Sequence, residues 1–324
     1  MAASSATARR VQDQLTSSNA GLNGVLDETL INRLAREVGH RGRACFWRPA
    51  VVVITFLRQV LQPDCSCRRA VVLTTSLASP TDPRRVSEDP SAYSQARQLL
   101  PRALFQRLAE HLVQQMQEPH RRWHGHRVRI VDGSGLSMPD TLELQERFPQ
   151  STTQKAGCGF PTARIVALFC WATGALLKLT YDSLRLGELQ LFRRLMPELQ
   201  ADDVVVADRF FGTYTEVALL QQRGVHVVFR VHNGRDVNWR RGQRLGRGDR
   251  LQVWQRPKCR IVGLSDAQWA ALPEGLTPRL VRLHTTDRQG FRRRTLQLVT
   301  TLLDPQAYPA TDLTALYRDR WLVK

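Results

Sequence analysis

Apolar residues recur along this chain of 324 residues with two different periods, and the change from one to the other divides it. Leu26, Leu30, Ile31 and Leu34 follow helical spacing, in which positions three and four apart share a face. Pro49 opens the apolar run from Val51 to Leu61, whose length favours a buried helix over a strand. Ser79-Pro80-Thr81-Asp82-Pro83 reads as a loop. From Ser91 to His111 the pattern puts Ala96, Leu99, Leu100, Leu104, Leu108 and Leu112 on one face of a further helical element. Residues 1–118 are therefore predicted as a helical N-terminal domain.

From His126 the period becomes two. His126 to Ser134 reads as a half-buried strand that ends on Asp132, followed by Gly133. Taken alone, Asp-Gly is an ordinary turn dipeptide, and only a second carboxylate in the same setting changes that reading. Arg164–Trp171 and Leu176–Tyr181 predict a hairpin turning at Ala172-Thr173-Gly174. Gly187 to Met196 predicts a helix with Leu189, Phe192 and Leu195 inward. The continuous run Asp203–Ala207 predicts a buried strand, and it ends on the second carboxylate, Asp208. A helix over Thr213–Arg223 and a strand over Val225–Val231 follow. Beyond them, glycines break the chain into loops, and Leu251–Trp254, Arg279–Thr285 and Thr295–Thr301 predict a β-rich insertion. Pro309 and Asp312 start a last helix, expected to run to Lys324. This order predicts an α/β fold, a mixed sheet with flanking helices.

Charge narrows the class of partner. The net charge is +18, with 47 basic residues against 29 acidic ones, which points to a phosphate-rich partner, nucleic acid ahead of membrane. All but Lys155, Lys178, Lys258 and Lys324 of the basic residues are arginines, which make bidentate phosphate contacts; a GC-rich genome gives the same bias. Residues 230–300 alone hold 16 basic and five acidic residues. Within them Arg230, Arg235, Arg240, Arg241 and Arg244, with Trp239 available to stack a base, are the candidate DNA-binding residues, set against a solvated basic loop. Arg292-Arg293-Arg294 is a hairpin tip that suits solvent as well as phosphate. Trp123, Trp254 and Trp269 are assigned to core or interface, and Glu188 to capping a helix N-terminus.

The six cysteines form neither a disulfide framework nor a zinc knuckle, and the eight histidines show no metal-ligand spacing; His120, His124 and His126 read as surface residues near a strand start. No apolar run is long enough to span a membrane, and the first residues lack an apolar signal core. The cysteines read as reduced thiols of a cytosolic protein.

Asp132 and Asp208 carry the chemistry. Two carboxylates at adjacent strand ends suit magnesium (Mg²⁺), a hard cation that leaves coordination positions for water and phosphate. Around them, Val131-Asp132-Gly133-Ser134, Ser137-Met138-Pro139-Asp140-Thr141, Gly159-Phe160-Pro161, Ala207-Asp208-Arg209-Phe210-Phe211 with Tyr214, and Val228-Phe229-Arg230 follow in order. With Tyr317-Arg318-Asp319-Arg320-Trp321 they resemble the DDE transposases of bacterial insertion sequences of the insertion sequence four type, over about residues 91–324. In that group Tyr-x-x-Arg-x-x-x-Glu lies along one helix and a lysine follows. The resemblance implies a ribonuclease-H-like catalytic domain over residues 119–324 with the β-rich insertion at 232–303, behind a helical DNA-binding domain. It implies Asp132 and Asp208 as metal ligands for Mg²⁺ or Mn²⁺ in a two-ion site, and Tyr317 and Arg320 beside the scissile phosphates. It further implies terminal inverted repeats and target DNA as partners, a homodimer on DNA, no membrane or small-molecule substrate, and a cytoplasmic, nucleoid-associated protein.

One position departs from the pattern. The family's glutamate falls on residue 324, which is Lys324, and the later lysine has no counterpart. An ammonium has donors and no acceptor, so it cannot ligate a cation. The expectation is a truncated final helix and a chain inactive on its own. The rival reading is a catalytically dead DNA-binding remnant or an inhibitor of a full-length transposase; an unrelated basic nucleic-acid-binding protein is the third.

Overall fold

Strand β1 (Val128–Ser137) has a parallel neighbour on one side and an antiparallel one on the other, and the larger part of the molecule is built outward from it. The computed structural model describes residues 26–40, 45–76, 87–115, 122–235, 237–286 and 293–323, in two units, Met1–Gln115 and Met116–Lys324.

The first unit is helical throughout its described residues: α1 (Glu28–Glu37), α2 (Pro49–Val60), α3 (Cys67–Ser76), α4 (Ser91–Gln98) and α5 (Arg102–Gln115). Asp27 caps α1, its carboxylate accepting the Leu30 amide at 2.6 Å, and Pro49 occupies the first turn of α2, where its missing N–H costs nothing. Ile31, Leu34, Val52, Val53, Val71, Tyr93 and Leu104 share one core. Buried Gln59 is held there, its carbonyl accepting from Tyr93 Oη at 2.8 Å and from Arg97 at 2.9 Å. The single element expected over residues 91–111 is two helices, because Pro101 cannot donate a helical hydrogen bond. Leu99, expected on the inward face, falls at the break and is 72% exposed. The expected loop at 79–83 lies outside the described residues.

The second unit contains a nine-stranded sheet in the order β3-β2-β1-β4-β5-β11-β10-β7-β6. Its first half comprises β1, β2 (Thr162–Cys170), β3 (Leu176–Ser183), β4 (Val204–Ala207) and β5 (His226–Arg230). β1, β4 and β5 are mutually parallel, and β2 and β3 add to β1 as an antiparallel hairpin. Helices cover the faces: α6 (Leu142–Arg147) follows β1, α7 (Glu188–Leu195) follows β3, α8 (Tyr214–Gln222) joins β4 to β5, and α10 (Ala310–Asp319) packs on the opposite face. This is a mixed α/β, ribonuclease-H-like arrangement. The insertion does not fold apart. Its β6 (Gln243–Gly246), β7 (Asp249–Leu251), β10 (Arg279–Thr286) and β11 (Arg293–Thr300) continue the main sheet beyond β5. Only β8 (Trp254–Gln255) and β9 (Gly275–Leu276) form a separate pair, beside the short helix α9 (Asp266–Ala270).

β4 is the deepest element. Val204, Val205, Val206 and Ala207 are all fully buried, with odd and even positions in different cores on the two sheet faces. Burying one valine contributes about 1.5–3 kcal/mol, so this short strand is firmly held, and with it the residue that follows.

Candidate active site

Asp132 lies within β1, not at its end. β1 stays paired with β2 as far as Ser137↔Thr162, and Asp132 is opposite Ala167. What stops near Asp132 is the parallel ladder: Val128, Arg129 and Ile130 pair with Val204, Val205 and Val206, and β4 then leaves the sheet. Asp132 comes two residues after Ile130, and Asp208 two residues after Val206, the last pair of that ladder, so both carboxylates follow the end of the same parallel pairing. Asp132 shares the parity of Val128 and Ile130 and so faces the sheet side covered by α10, and the Asp208 charge bears on Tyr317 of that helix. The turn after β4 fixes Asp208 from within, its Oδ1 accepting the Phe210 amide at 2.8 Å.

Helix α10 delivers the other two candidates. Leu313, Leu316 and Tyr317 pack on that face, and Trp171 Nε1 donates to Asp319 at 3.0 Å at the helix end. The α-helix stops at Asp319, and Arg320–Val323 is a 3-10 turn rather than a continuation of the expected helix. The turn drives Arg320 inward. Its guanidinium is 3.2 Å from Asp132 Oδ1 and lies 5.5 Å from the Tyr317 ring centroid and 4.6 Å from the Trp321 ring. Arg320 Nε is buried without a hydrogen-bond partner. Burial pushes the Tyr317 phenol above its ordinary value, against the pull of the Arg320 and Arg230 charges, with Asp208 adding to the rise. The structure therefore brings Asp132, Asp208, Tyr317, Arg320 and Arg230 into one neighbourhood. Lys324 lies outside the described residues.

Glu188 opens α7, and its carboxylate occupies the space a side chain at Gly133 would fill. Gly133 alternates with Asp132, so Glu188 covers the opposite sheet face. On the far side of the Asp208 turn, a cavity of about 400 Å³ is lined by Gly212, Thr213, Glu216, His232 and Arg235 among others. Buried Glu216 is held there by Arg193 at 2.6 Å and by the Thr213 hydroxyl.

The candidate DNA-binding residues separate into two groups. Arg240, Arg241 and Arg244 are exposed. Arg235 is half-buried, its guanidinium 3.9 Å from the centroid of the Trp254 ring, and Trp239 is half-buried beneath Arg282 at 4.6 Å. Trp254 belongs to the core, with Trp269 packed against it and Trp123 against the core on the other face. Of the Arg292–Arg294 tip, Arg292 and the side chains of its two neighbours lie outside the described residues, as does His120.

His124 is exposed, and His126 is half-buried at the start of β1. Strand pairing brings His126 and His226 to 5.3 Å between ring centroids, with Asp202 beside both, at the sheet end opposite Asp132 and Asp208. Burial and the neighbouring His126 push the His226 imidazole below its ordinary value. His126 and His226 lie far apart in sequence, so no local spacing carries this signal.

Comparison with known proteins decides the family. The model of the transposase DDE domain matches residues 123–323. The chain belongs to the DDE transposase family. The transposase InsG for insertion sequence element IS4 of Escherichia coli (strain K12) is 23% identical to it over 237 residues, 72% of this chain and 51% of that protein. The chain thus spans about half the length of the curated relative it matches. In this chain the family match begins near the start of β1 and takes in the whole nine-stranded sheet and α10, whereas the first helical unit lies outside it. No helix among its described residues is long and apolar enough to cross a membrane.

Proposed function

We propose that this chain cleaves phosphodiester bonds at the ends of an insertion sequence and joins the freed 3′-hydroxyl to target DNA, as the catalytic segment of a cut-and-paste transposase. The observation that carries the reading is the contact of Arg320 with Asp132 across the sheet, with Tyr317 of the same helix sensing the charges of Asp208, Arg230 and Arg320.

The donor set suits a hard divalent cation. Two partly exposed carboxylates follow the end of one parallel ladder, and all-oxygen ligation favours Mg²⁺ or Mn²⁺. Asp132 and Asp208 would hold the metal, which when bound supplies an activated water or 3′-hydroxyl and stabilises the leaving oxygen. Arg320 neutralises Asp132 and fixes its carboxylate beside the site. Tyr317, whose phenol is pushed by burial above its ordinary value, serves as a hydroxyl donor to a flanking phosphate. Exposed Arg240, Arg241 and Arg244 follow the DNA backbone, Arg230 lies beside the site, and Arg235 and Trp239 support this surface from beneath. The helical first unit is assigned to recognition of the terminal inverted repeats, and two copies to pairing of the element's ends.

A second reading rests on Lys324, four residues after Arg320 where the resemblance calls for a carboxylate. With two carboxylates instead of three, the chain occupies element ends without cutting them and competes with an active transposase. A nicking assay in Mg²⁺, run beside a gel-shift assay on duplex DNA carrying the inverted repeats that flank the gene, separates the two. Nicking that Asp132→Ala abolishes supports the first reading. Binding without nicking supports the second, and neither binding nor nicking overturns both.

A further inference from the structure

We propose that the N-terminal ends of β1, β4 and β5 form a second cation site, for a nitrogen-preferring transition ion of the Zn²⁺ class, held by His126 Nδ1, His226 Nε2 and the Asp202 carboxylate.

The three residues come from three neighbouring strand starts. One donor atom from each lies within 4.8 Å of the other two. In a tetrahedral Zn²⁺ site, bonds of about 2.0–2.1 Å place ligand atoms roughly 3.4 Å apart. His226 Nε2 and Asp202 Oδ1 are 3.8 Å apart, within a small side-chain rotation of that spacing.

The outer nitrogens of both rings are already engaged, as ligand histidines require. His126 Nε2 meets the Tyr308 hydroxyl at 2.8 Å, and His226 Nδ1 meets the Thr301 hydroxyl at 3.4 Å. That leaves His126 Nδ1 and His226 Nε2 turned toward Asp202. Asp202 is held in a left-handed conformation, φ 66°, with its amide donating to Gly224 O at 2.9 Å. This conformation presents its carbonyl to His126 Nδ1 at 2.9 Å and its carboxylate to His226.

Ion binding asks for one proton rearrangement. Nδ1 of His126 gives up its proton and its hydrogen bond to the Asp202 carbonyl, which must turn aside for the ion; Nε2 takes one proton and donates it to the Tyr308 oxygen, and the ring stays neutral. The Asp202 side chain is 84% exposed, so an ion enters without unfolding and a water completes the coordination. Two imidazoles and one carboxylate select Zn²⁺, Co²⁺ or Ni²⁺ over Mg²⁺. The site is distinct from the carboxylate pair, being six residues, or roughly 20 Å, back along β1.

Its effect would reach α10. Tyr308, which holds His126, stacks on Trp123 at 5.8 Å, and His124 pairs with Asp312 in the first turn of α10 at 3.0 Å. An ion at the strand ends therefore clamps the seat of the helix that carries Tyr317.

The test uses the whole chain with Co²⁺ as a visible-absorption probe and Zn²⁺ in thermal unfolding. Exposed cysteines also take such ions, so the informative comparison is with Asp202→Asn, a surface change that leaves every thiol in place, and with His226→Ala. The wild-type chain is expected to show Co²⁺ absorption bands that excess Mg²⁺ does not displace, and a higher unfolding midpoint with Zn²⁺. Asp202→Asn should weaken Zn²⁺ binding about tenfold or more and remove the rise. Equal affinity and equal midpoint shift in wild type and Asp202→Asn would overturn the site and assign the ions to cysteines.

Discussion

Arg320 Nη1 lies 3.2 Å from an Asp132 carboxylate oxygen across 188 residues of sequence, with the arginine side chain 4% and the aspartate 17% exposed. So little solvent makes each charge dependent on the other. Removing one partner of such a pair costs about 3–5 kcal/mol, with the lower figure apt for the more accessible aspartate. Arg320→Met is therefore expected to destabilise the chain by about 3 kcal/mol. The Arg320→Met, Asp132→Ala double variant should lose less than the sum of the single changes by at least about 1 kcal/mol. Urea unfolding of the four proteins measures this, and additivity would mean that the two side chains do not act as a pair.

DNA binding should separate the two groups of arginines. Every phosphate that a cationic side chain no longer neutralises flattens the slope of log affinity against log salt by about 0.9. Replacing exposed Arg240, Arg241 and Arg244 by alanine is expected to flatten that slope with little change in stability. Arg235→Ala instead removes a guanidinium from the Trp254 ring, and its main effect should be on the unfolding midpoint. Binding to duplex DNA titrated between about 50 and 200 mM salt reads the difference. An unchanged slope in the triple variant would remove the surface role assigned to those residues.

Legibility in the sequence followed locality. The run Val204–Ala207 announced a buried strand because four consecutive apolar residues need two covered faces, and Asp208 at its end was visible with it. Asp132 reads from the sequence as the end of its strand, whereas β1 runs on to Ser137. The small and polar residues after Asp132 read as a turn, and only pairing with β2, thirty residues on, keeps them extended. Pro101 carried a readable break that the apolar pattern on either side of it masked. Nothing local to Arg320 announces the change to a 3-10 turn, since the contact that accompanies it is to β1. The histidine cluster and Arg279 were beyond reach for the same reason: their partners are set by the sheet and the segment leaving it, not by spacing along the chain.

Two glycines near the site should respond differently to the same change. A Cβ on Gly133 would overlap the end of the Glu188 side chain, which can rotate away. A Cβ on Gly212 would overlap the backbone carbonyl of Arg230, which cannot move without displacing the end of β5. Gly212 closes the turn that begins at Asp208, its amide donating to Arg209 O at 3.2 Å. Gly212→Ala is therefore expected to cost about 1–3 kcal/mol and to lower DNA cleavage, whereas Gly133→Ala should cost less, and still less when Glu188 is also alanine. Unfolding free energies in that order support the close approach at Gly212, and the reverse order would refute it.

Arg279 offers the sharpest stability test, because it is fully buried and uses its whole guanidinium. Nε and Nη2 donate to the two Asp249 oxygens at 2.9 and 2.6 Å. Nη1 donates to the carbonyls of Leu302, Asp304 and Tyr308 at 3.3, 3.2 and 2.8 Å. The side chain thus fastens β7 and β10 of the insertion to the segment that leads into α10. Arg279 meets a carboxylate and three carbonyls at once, so a replacement must supply both charge and fork. Arg279→Met should cost about 3–5 kcal/mol, since it strands Asp249, and Asp249→Ala added to it should recover part of the loss. Arg279→Lys is expected to rescue poorly, because an ammonium cannot serve Asp249 and the carbonyls from one planar group. For a unit of this size each kcal/mol moves the midpoint by about 2–4 °C, so Arg279→Met should fall by about 10 °C. A lysine variant that unfolds within about 2 °C of wild type, less than 1 kcal/mol on that scale, would show that charge alone suffices and that the fork geometry is incidental.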